Sequence, residues 1–234
     1  MTIKNGDFVQ LDYIGRVDGK IFDLTQESVA KKENIYNDHV NYGPVTIIVG
    51  AGHLLKGIDD SLVGKKVGEN FTVEVPPEKG FGKKNPKLIK IIPEKSFREQ
   101  KVKPYPGMQV NIDGLIGNIL SAGGGRVIID FNHPLASKTL NYEVSVLKKV
   151  DEPKEQLSSI VQMYTNLKPN KIDVEISENN AKVFIEGAEK IDNHVKERIE
   201  EEAKKYIKLG KVEFVNKEAK VTAHEHKEIK EKKE

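Results

Sequence analysis

The sequence predicts an α+β protein built on a curved antiparallel sheet around one short helix. It also predicts a small β domain inserted into one loop and a C-terminal two-layer α/β domain of order αββαβ. Three observations carry this. Period-two apolar alternation recurs at Val9, Leu11 and Tyr13, at Phe71, Val73 and Val75, and at Leu140, Tyr142, Val144 and Val146, the pattern of strands with one buried face. Between the first two sets, Leu54, Leu55, Ile58 and Leu62 share a single helical face. From Asp151 the composition shifts to Lys and Glu, and apolar residues take a 3.6-residue period.

Taken in order, residues 7–23 read as a hairpin, with Asp18-Gly19 as its two-residue turn and Ile21-Phe22 resuming the strand. Leu24 to Pro44 is polar and poor in apolar residues, which predicts an irregular surface flap. Val45 to Val49 reads as a strand broken at Gly50 and Gly52, followed by the short helix, which stops at Gly64. A helix of two turns is not stable alone in water, so its apolar face lies on a sheet supplied by the rest of the chain. Pro76-Pro77 ends the next strand, because proline cannot donate to a ladder.

Residues 83–130 hold short strand-like runs at Leu88–Ile92, Met108–Ile112, Leu115–Leu120 and Val127–Asp130, separated by Pro104, Pro106, Gly107 and Gly123-Gly124-Gly125. This reads as an all-β module. The strand at 140–146 is the partner the first hairpin lacks, so the module reads as an insertion into one sheet, which loops tolerate. The expected division is therefore 1–83 with 131–150, an inserted 84–130, and 151–234 ending in a charged tail. In the last part, Pro153 opens a helix carrying Leu157, Ile160, Val161, Tyr164 and Leu167. A hairpin follows around residues 177–180, then a helix from about Asn193 to Leu209 that stops at Gly210, then a strand at Lys211–Val215. Its apolar content is thin, which suggests a homodimer through this domain.

The 234 residues carry a net charge of +2 with 32% charged side chains, so no polyelectrolyte field points to nucleic acid or to a membrane surface. Cysteine is absent, which excludes disulfides and thiolate chemistry. The N-terminal residues lack the apolar run of a signal peptide, and no stretch approaches a membrane span; the expectation is a cytoplasmic protein.

Four colinear blocks carry a resemblance. They are L-D-Y-I-G-R-V-D-G-K-I-F-D at 11–23, V-G-A-G-H-L-L-K-G-I-D-D-S-L-V-G-K-K-V-G-E at 49–69, V-P-P-E-K-G-F-G at 75–82 and N-H-P-L-A-S-K-T-L-N-Y-E-V at 132–144. Over its first 150 residues or so the chain resembles the FKBP-type peptidyl-prolyl cis/trans isomerases, in particular the long archaeal type related to SlyD. Residues 84–130 stand where SlyD-like members carry a chaperone module, and the last 84 residues resemble only the extra C-terminal domain of the long members. The resemblance implies the FKBP fold, isomerase activity on X-Pro bonds of unfolded clients, and no cofactor. It puts Tyr13, Phe22 and Asp23 on one wall of a pocket, Val45 at the side, Leu54 and Leu55 at the rim, Ile58 at the floor, Phe81 on a flap and Tyr142 on the far strand. Ile58 stands where many members have tryptophan, and Phe81 where many have tyrosine. In the insertion, Met108, Val110, Ile112, Ile116, Ile119 and Leu120 are the candidate client-binding patch.

No paired nucleophile and base, no phosphate-binding glycine loop and no Cys/His cluster is visible in the sequence. Taken singly, Phe22, Ile58 and Tyr142 read as core packing, and Asp23 as a strand-end carboxylate. Met108, Val110, Ile112, Ile116, Ile119 and Leu120 likewise read as the insertion's own core. His224 and His226 are the sole metal-like pair, in what otherwise reads as a solvated tail. Two function classes follow: an isomerase that holds clients with its insertion, or a holdase chaperone with weak or no isomerase activity.

Overall fold

The computed structural model describes residues 1–217. The tail with His224 and His226, and the charged stretch from Lys227, lie outside the described residues. The described residues are mixed α+β and form three sheets.

The first sheet begins with β1 (Phe8–Val17) and β2 (Lys20–Leu24), joined at Asp18 (φ 49°) and Gly19 (φ 78°), the pair of positive φ values that a tight twisted hairpin needs. Helix α1 (Glu27–Lys32) follows, and β3 (Val45–Ile48) pairs with the first half of β1. Residues 24–44 are therefore not wholly irregular: one short helix forms because Ala30 is fully buried beneath it. Helix α2 (Lys56–Leu62) and β4 (Asn70–Val75) complete this half of the chain.

The sheet closes only when β9 (Leu140–Val150) inserts between β1 and β4, giving the order β2-β1-β9-β4 with β3 beside β1. Opposite Gln10/Leu11 and Gly15/Arg16 of β1 the register shifts, leaving Leu147 of β9 and Phe22 of β2 as the extra residues of two bulges, and bulges bend a strand and increase its twist. Helix α2 lies in the resulting hollow. Its Gly57 faces Val75 of β4, where an added Cβ would lie 2.8 Å from a valine methyl. Ile58 and Leu62 bury against Val9, Leu11, Val75, Leu140, Tyr142 and Val144.

The second sheet comprises β5 (Ile89–Pro93), β6 (Gln109–Ile112), β7 (Leu115–Gly123) and β8 (Arg126–Asp130), in the order β5-β8-β7-β6. It is not purely β. Helix α3 (Glu94–Glu99) lies between β5 and β6, and its Phe97 joins Ile119, Val127 and Ile129 in a small core. So few strand residues cannot close a core alone, and one aromatic ring on a short helix fills the gap.

After β9, Pro153 opens helix α4 (Pro153–Thr165), whose Leu157, Ile160 and Val161 are buried. Next come β10 (Asp173–Ser177), β11 (Asn180–Ile185), α5 (Asn193–Glu202) and β12 (Lys211–Asn216). Strand β12 runs parallel to β11, which requires the α5 crossover, whereas β10 and β11 form a hairpin. Helix α5 leaves through a wider π turn over Ala203–Ile207, and Lys208 takes the left-handed conformation (φ 64°). The helix therefore ends two residues before the expected stop at Gly210, because Lys208 and not the glycine takes the left-handed cap position. The core of this region is shared: Phe8, Ile48 and Val150 of the first sheet pack among Leu157, Ile160, Val183, Ile185 and Ile199. The first sheet is thus covered on one face by α2 and, around Phe8, Ile48 and Val150, on the other by α4.

Candidate functional site

The site grows from the middle of β1. Tyr13 and Gly15 point to the same face of the sheet, and Gly15 sits opposite Tyr142 of β9 and opposite Asp23 of β2. A Cβ on Gly15 would lie 2.7 Å from the Tyr142 ring and 3.2 Å from Phe22, so only glycine leaves room for both rings. With that space open, Tyr13 and Phe22 each meet Tyr142 edge-on at 5.8 Å between ring centroids. Phe81 then meets Phe22 at 6.5 Å and stacks flat on His133 at 4.3 Å and 7°. Edge-to-face and stacked rings hold their geometry better than aliphatic neighbours do.

Two backbone clamps fix the walls. The Tyr13 N–H donates to Thr25 Oγ1 (3.0 Å), Thr25 N–H returns to the Tyr13 carbonyl (3.0 Å), and the Thr25 hydroxyl donates to Asp12 (2.6 Å). These bonds hold the end of β2, and with it Asp23, against Tyr13. On the other side, the buried Asp59 carboxylate of α2 accepts from the N–H groups of Gly50 (2.8 Å) and Gly52 (3.2 Å). That ties the loop before α2 to the helix and sets the path of Leu54 and Leu55. Leu55 is the N-cap of α2, so its N–H belongs to the group that finds no acceptor within the helix.

Burial pushes the Asp23 carboxyl above its ordinary value, against the opposing pull of the Tyr13 hydroxyl and the Leu24 N–H. Burial, reinforced by Asp23, lifts the Tyr13 and Tyr142 phenols well above theirs, so both remain protonated donors. The site is thus an apolar surface with one disfavoured carboxylate and two phenols at its edge.

Ile58 and Tyr142 are buried, whereas Tyr13, Phe22, Val45, Leu54, Leu55 and Phe81 are half-buried around them in the same cluster. Several residues of this neighbourhood escape a reading of the sequence. Gly15 and Thr25 act through close approach and backbone bonds. His133 and Leu135 reach the Phe81 side from the loop before β9, and Met163 comes from α4. Gly15, His133 and Leu135 fall inside the four colinear blocks, whereas Thr25 and Met163 carry no local signal.

His53 is a further unpredicted member. Its Nδ1 accepts from the Ile48 N–H (3.2 Å), so its Nε2 carries the proton and donates to Glu202 of α5 at 2.9 Å. The Tyr164 hydroxyl donates to the same Glu202 oxygen at 2.7 Å. Burial works against ionised Glu202, but these donors and the nearby Arg198 outweigh it and hold its carboxyl below the ordinary range. Tyr164 is pushed up to about 12, by burial first and then by Glu202. The residue just before Leu54-Leu55 is thereby fastened to the C-terminal region.

The second sheet presents two apolar surfaces. Met108, Val110 and Ile112 line a hollow of about 530 Å³ with Phe97 and Val102. On the opposite face Ile91, Ile116 and Leu120 are exposed at 62%, 60% and 48%. Ile119 does not belong to either surface: its side chain faces inward and is 1% exposed, because β7 alternates and Ile119 falls on the core side. A polar joint connects this sheet to the first. Asp130 accepts from Lys84 Nζ (2.7 Å) and from the Asn132 side chain (2.7 Å), and Asn132 exchanges bonds with the Asn85 backbone. Burial raises the Asp130 carboxyl, but Lys84 and the two Asn132 donors prevail and hold it below the ordinary value.

Comparison with known proteins gives a consistent result. The family model described as "FKBP26, IF domain" matches residues 90–135. A short-type peptidyl-prolyl cis-trans isomerase of Methanocaldococcus jannaschii is 41% identical over 144 residues, covering 62% of this chain and 92% of that protein. A probable FKBP-type 16 kDa peptidyl-prolyl cis-trans isomerase of Pseudomonas fluorescens is 37% identical over 109 residues, 44% of this chain and 71% of that one. The FKBP-type isomerase SlyD of Haemophilus influenzae is 30% identical over 141 residues, 57% and 70% respectively.

Proposed function

Because the chain belongs to the FKBP-type peptidyl-prolyl cis-trans isomerase family, we propose that the cluster around Ile58 and Tyr142 is where it turns X-Pro bonds of unfolded or partly folded polypeptides. As a member of this family it is an isomerase that needs no cofactor. The barrier it lowers is amide resonance, about 18–20 kcal/mol, which weakens as the peptide twists about C–N. The twisted amide is less dipolar than the planar one, so a surface poor in water favours it over the ground state.

The observation that carries this reading is the ring of half-buried apolar side chains over a buried floor. Phe22, Val45, Leu54, Phe81 and Tyr142 receive the proline and exclude water. The Leu55 N–H holds a substrate carbonyl, and Asp23 with Tyr13 orients the flanking backbone. No residue forms a covalent bond to substrate. Phe81 brings a ring without a hydroxyl, so this wall contributes contact and not a hydrogen bond.

The same reading divides the chain into an isomerase body (1–83 and 131–150), a client-holding insertion (84–130) and a C-terminal region from 151. The exposed Ile91, Ile116 and Leu120 support the holding role, since apolar side chains left exposed on one sheet face can serve binding. The test compares the chain with and without residues 84–130 on a short Ala-Leu-Pro-Phe-type peptide and on a protein whose refolding waits on proline. Deletion is expected to spare the peptide rate and collapse the protein rate. Suppressed aggregation with both rates at background would leave a holdase and end the isomerase reading.

A further inference from the structure

A cleft of about 740 Å³ opens beside the candidate site, between the edge of β3 and the C-terminal end of α4. It continues the proline site, because Tyr13, Val45 and Leu54 line both. Its far wall is Gln162, Met163 and Asn166, and Asn41 closes its outer end by donating to the carbonyl and side chain of Asn166 at 3.1 Å each.

The near wall is a free strand edge. Among the described residues strand β3 pairs with β1 alone. At Ile48 the outward N–H is taken by His53 and the outward carbonyl by the Ala51 N–H (3.2 Å). Outward groups recur every second residue along an antiparallel edge, so Thr46 presents its N–H and carbonyl to the cleft, and no strand of the described residues covers them. Facing this edge, the side-chain amides of Gln10 and Gln162 make no hydrogen bond among the described residues. An uncovered N–H/C=O pair between unengaged amides, in an opening continuous with an apolar site, suits an extended peptide backbone.

We propose that this cleft is a second subsite for the client polypeptide. The residues flanking the proline lie along the β3 edge as an added strand at Thr46, with Gln10 and Gln162 bonding their backbone and Met163 packing on their side chains. The inference rests on the isomerase reading, because it takes the polypeptide to enter from the proline site. It makes the C-terminal region a wall of the substrate path, with the His53–Glu202–Tyr164 bonds holding that wall at its distance from the sheet. Short and long substrates are then handled differently.

The test uses the full chain, the variants Gln162→Trp and Thr46→Pro, and three labelled peptides: an Ala-Leu-Pro-Phe tetrapeptide and the same core extended by six residues on either side. Tryptophan at 162 fills the cleft. Proline at 46 removes the one edge N–H, a change that edge strands tolerate. Affinity is read by fluorescence anisotropy and turnover by exchange spectroscopy. One of the two extensions is expected to tighten binding about tenfold, the worth of one or two net hydrogen bonds. Both variants should lose most of that gain while turning over the tetrapeptide at the parental rate. Equal affinity for all three peptides, or a gain that survives both substitutions, overturns the subsite. If no peptide is turned over, the isomerase reading fails by itself, and the anisotropy series still decides whether the cleft holds a peptide.

Discussion

Gly15 is where a single hydrogen atom decides the site. Replacing it with alanine sets a methyl group against the Tyr142 ring and Phe22, in space already filled. The expected cost is about 1–3 kcal/mol of stability, read by urea unfolding, with a larger proportional loss of peptide turnover because both displaced rings line the proposed proline site. Asp23 makes the second residue-level prediction. Its carboxyl is raised in the folded protein, so ionising it works against folding: the penalty is absent below the ordinary aspartate value of about 3.9 and grows as pH rises through the raised one. Asp23→Asn should therefore raise the melting temperature at pH 7, with the difference from the parent closing as pH falls below about 4, while turnover drops. A melting difference that stays constant with pH would contradict the burial argument.

At the scale of elements, two polar joints set how pieces of the chain meet. The Asp130–Lys84–Asn132 joint fixes the second sheet to the first through a carboxyl held low by its donors. Its stabilisation is present above the ordinary aspartate value and lost as pH falls through the depressed one. Asp130→Ala should cost roughly 1–3 kcal/mol, the worth of hydrogen bonds to a charged group, and the effect should shrink in acid. Limited proteolysis at 83–89 and 130–137 would show the joint loosening. In the other joint, Tyr164→Phe removes one of the two donors to Glu202 Oε1. Chemical denaturation should register about 1 kcal/mol, with hydrogen exchange rising around His53 and Leu54.

Across the whole molecule, the first sheet is covered on one face and over part of the other. Helix α2 covers one side, and α4 with the third sheet covers Phe8, Ile48 and Val150 on the other. Truncation after Val150 would expose those three buried side chains, so the shortened chain should melt lower and bind more of a hydrophobic dye than the full chain does. The thin apolar content of residues 151–217, which pointed to a second copy of the chain, is met at least in part within one chain, because that region completes its core on the sheet. Among the described residues no helix is long and apolar enough to cross a membrane.

Much of this was legible in one dimension. Alternation at Val9–Tyr13, Phe71–Val75 and Leu140–Val146 determined the strands and the face that turns inward, since a period of two allows only one arrangement with a dry side. The spacing of Leu54, Leu55, Ile58 and Leu62 determined the short helix, and Asp18-Gly19 its hairpin. The four blocks were enough to group Tyr13, Phe22, Asp23 and Tyr142. Local signals failed where a residue's role depends on a distant neighbour. Ala30 makes a helix of a polar stretch because something is packed beneath it, and Phe97 does the same in the insertion. Ile119 is lost to the core because a strand has two faces and the sequence does not say which is covered. The cleft, the His53–Glu202 bond across 149 positions and the arrival of Met163 beside the site were decided only by tertiary structure. They arise between elements whose separation along the chain carries no periodic trace, and packing alone brings them within bonding distance.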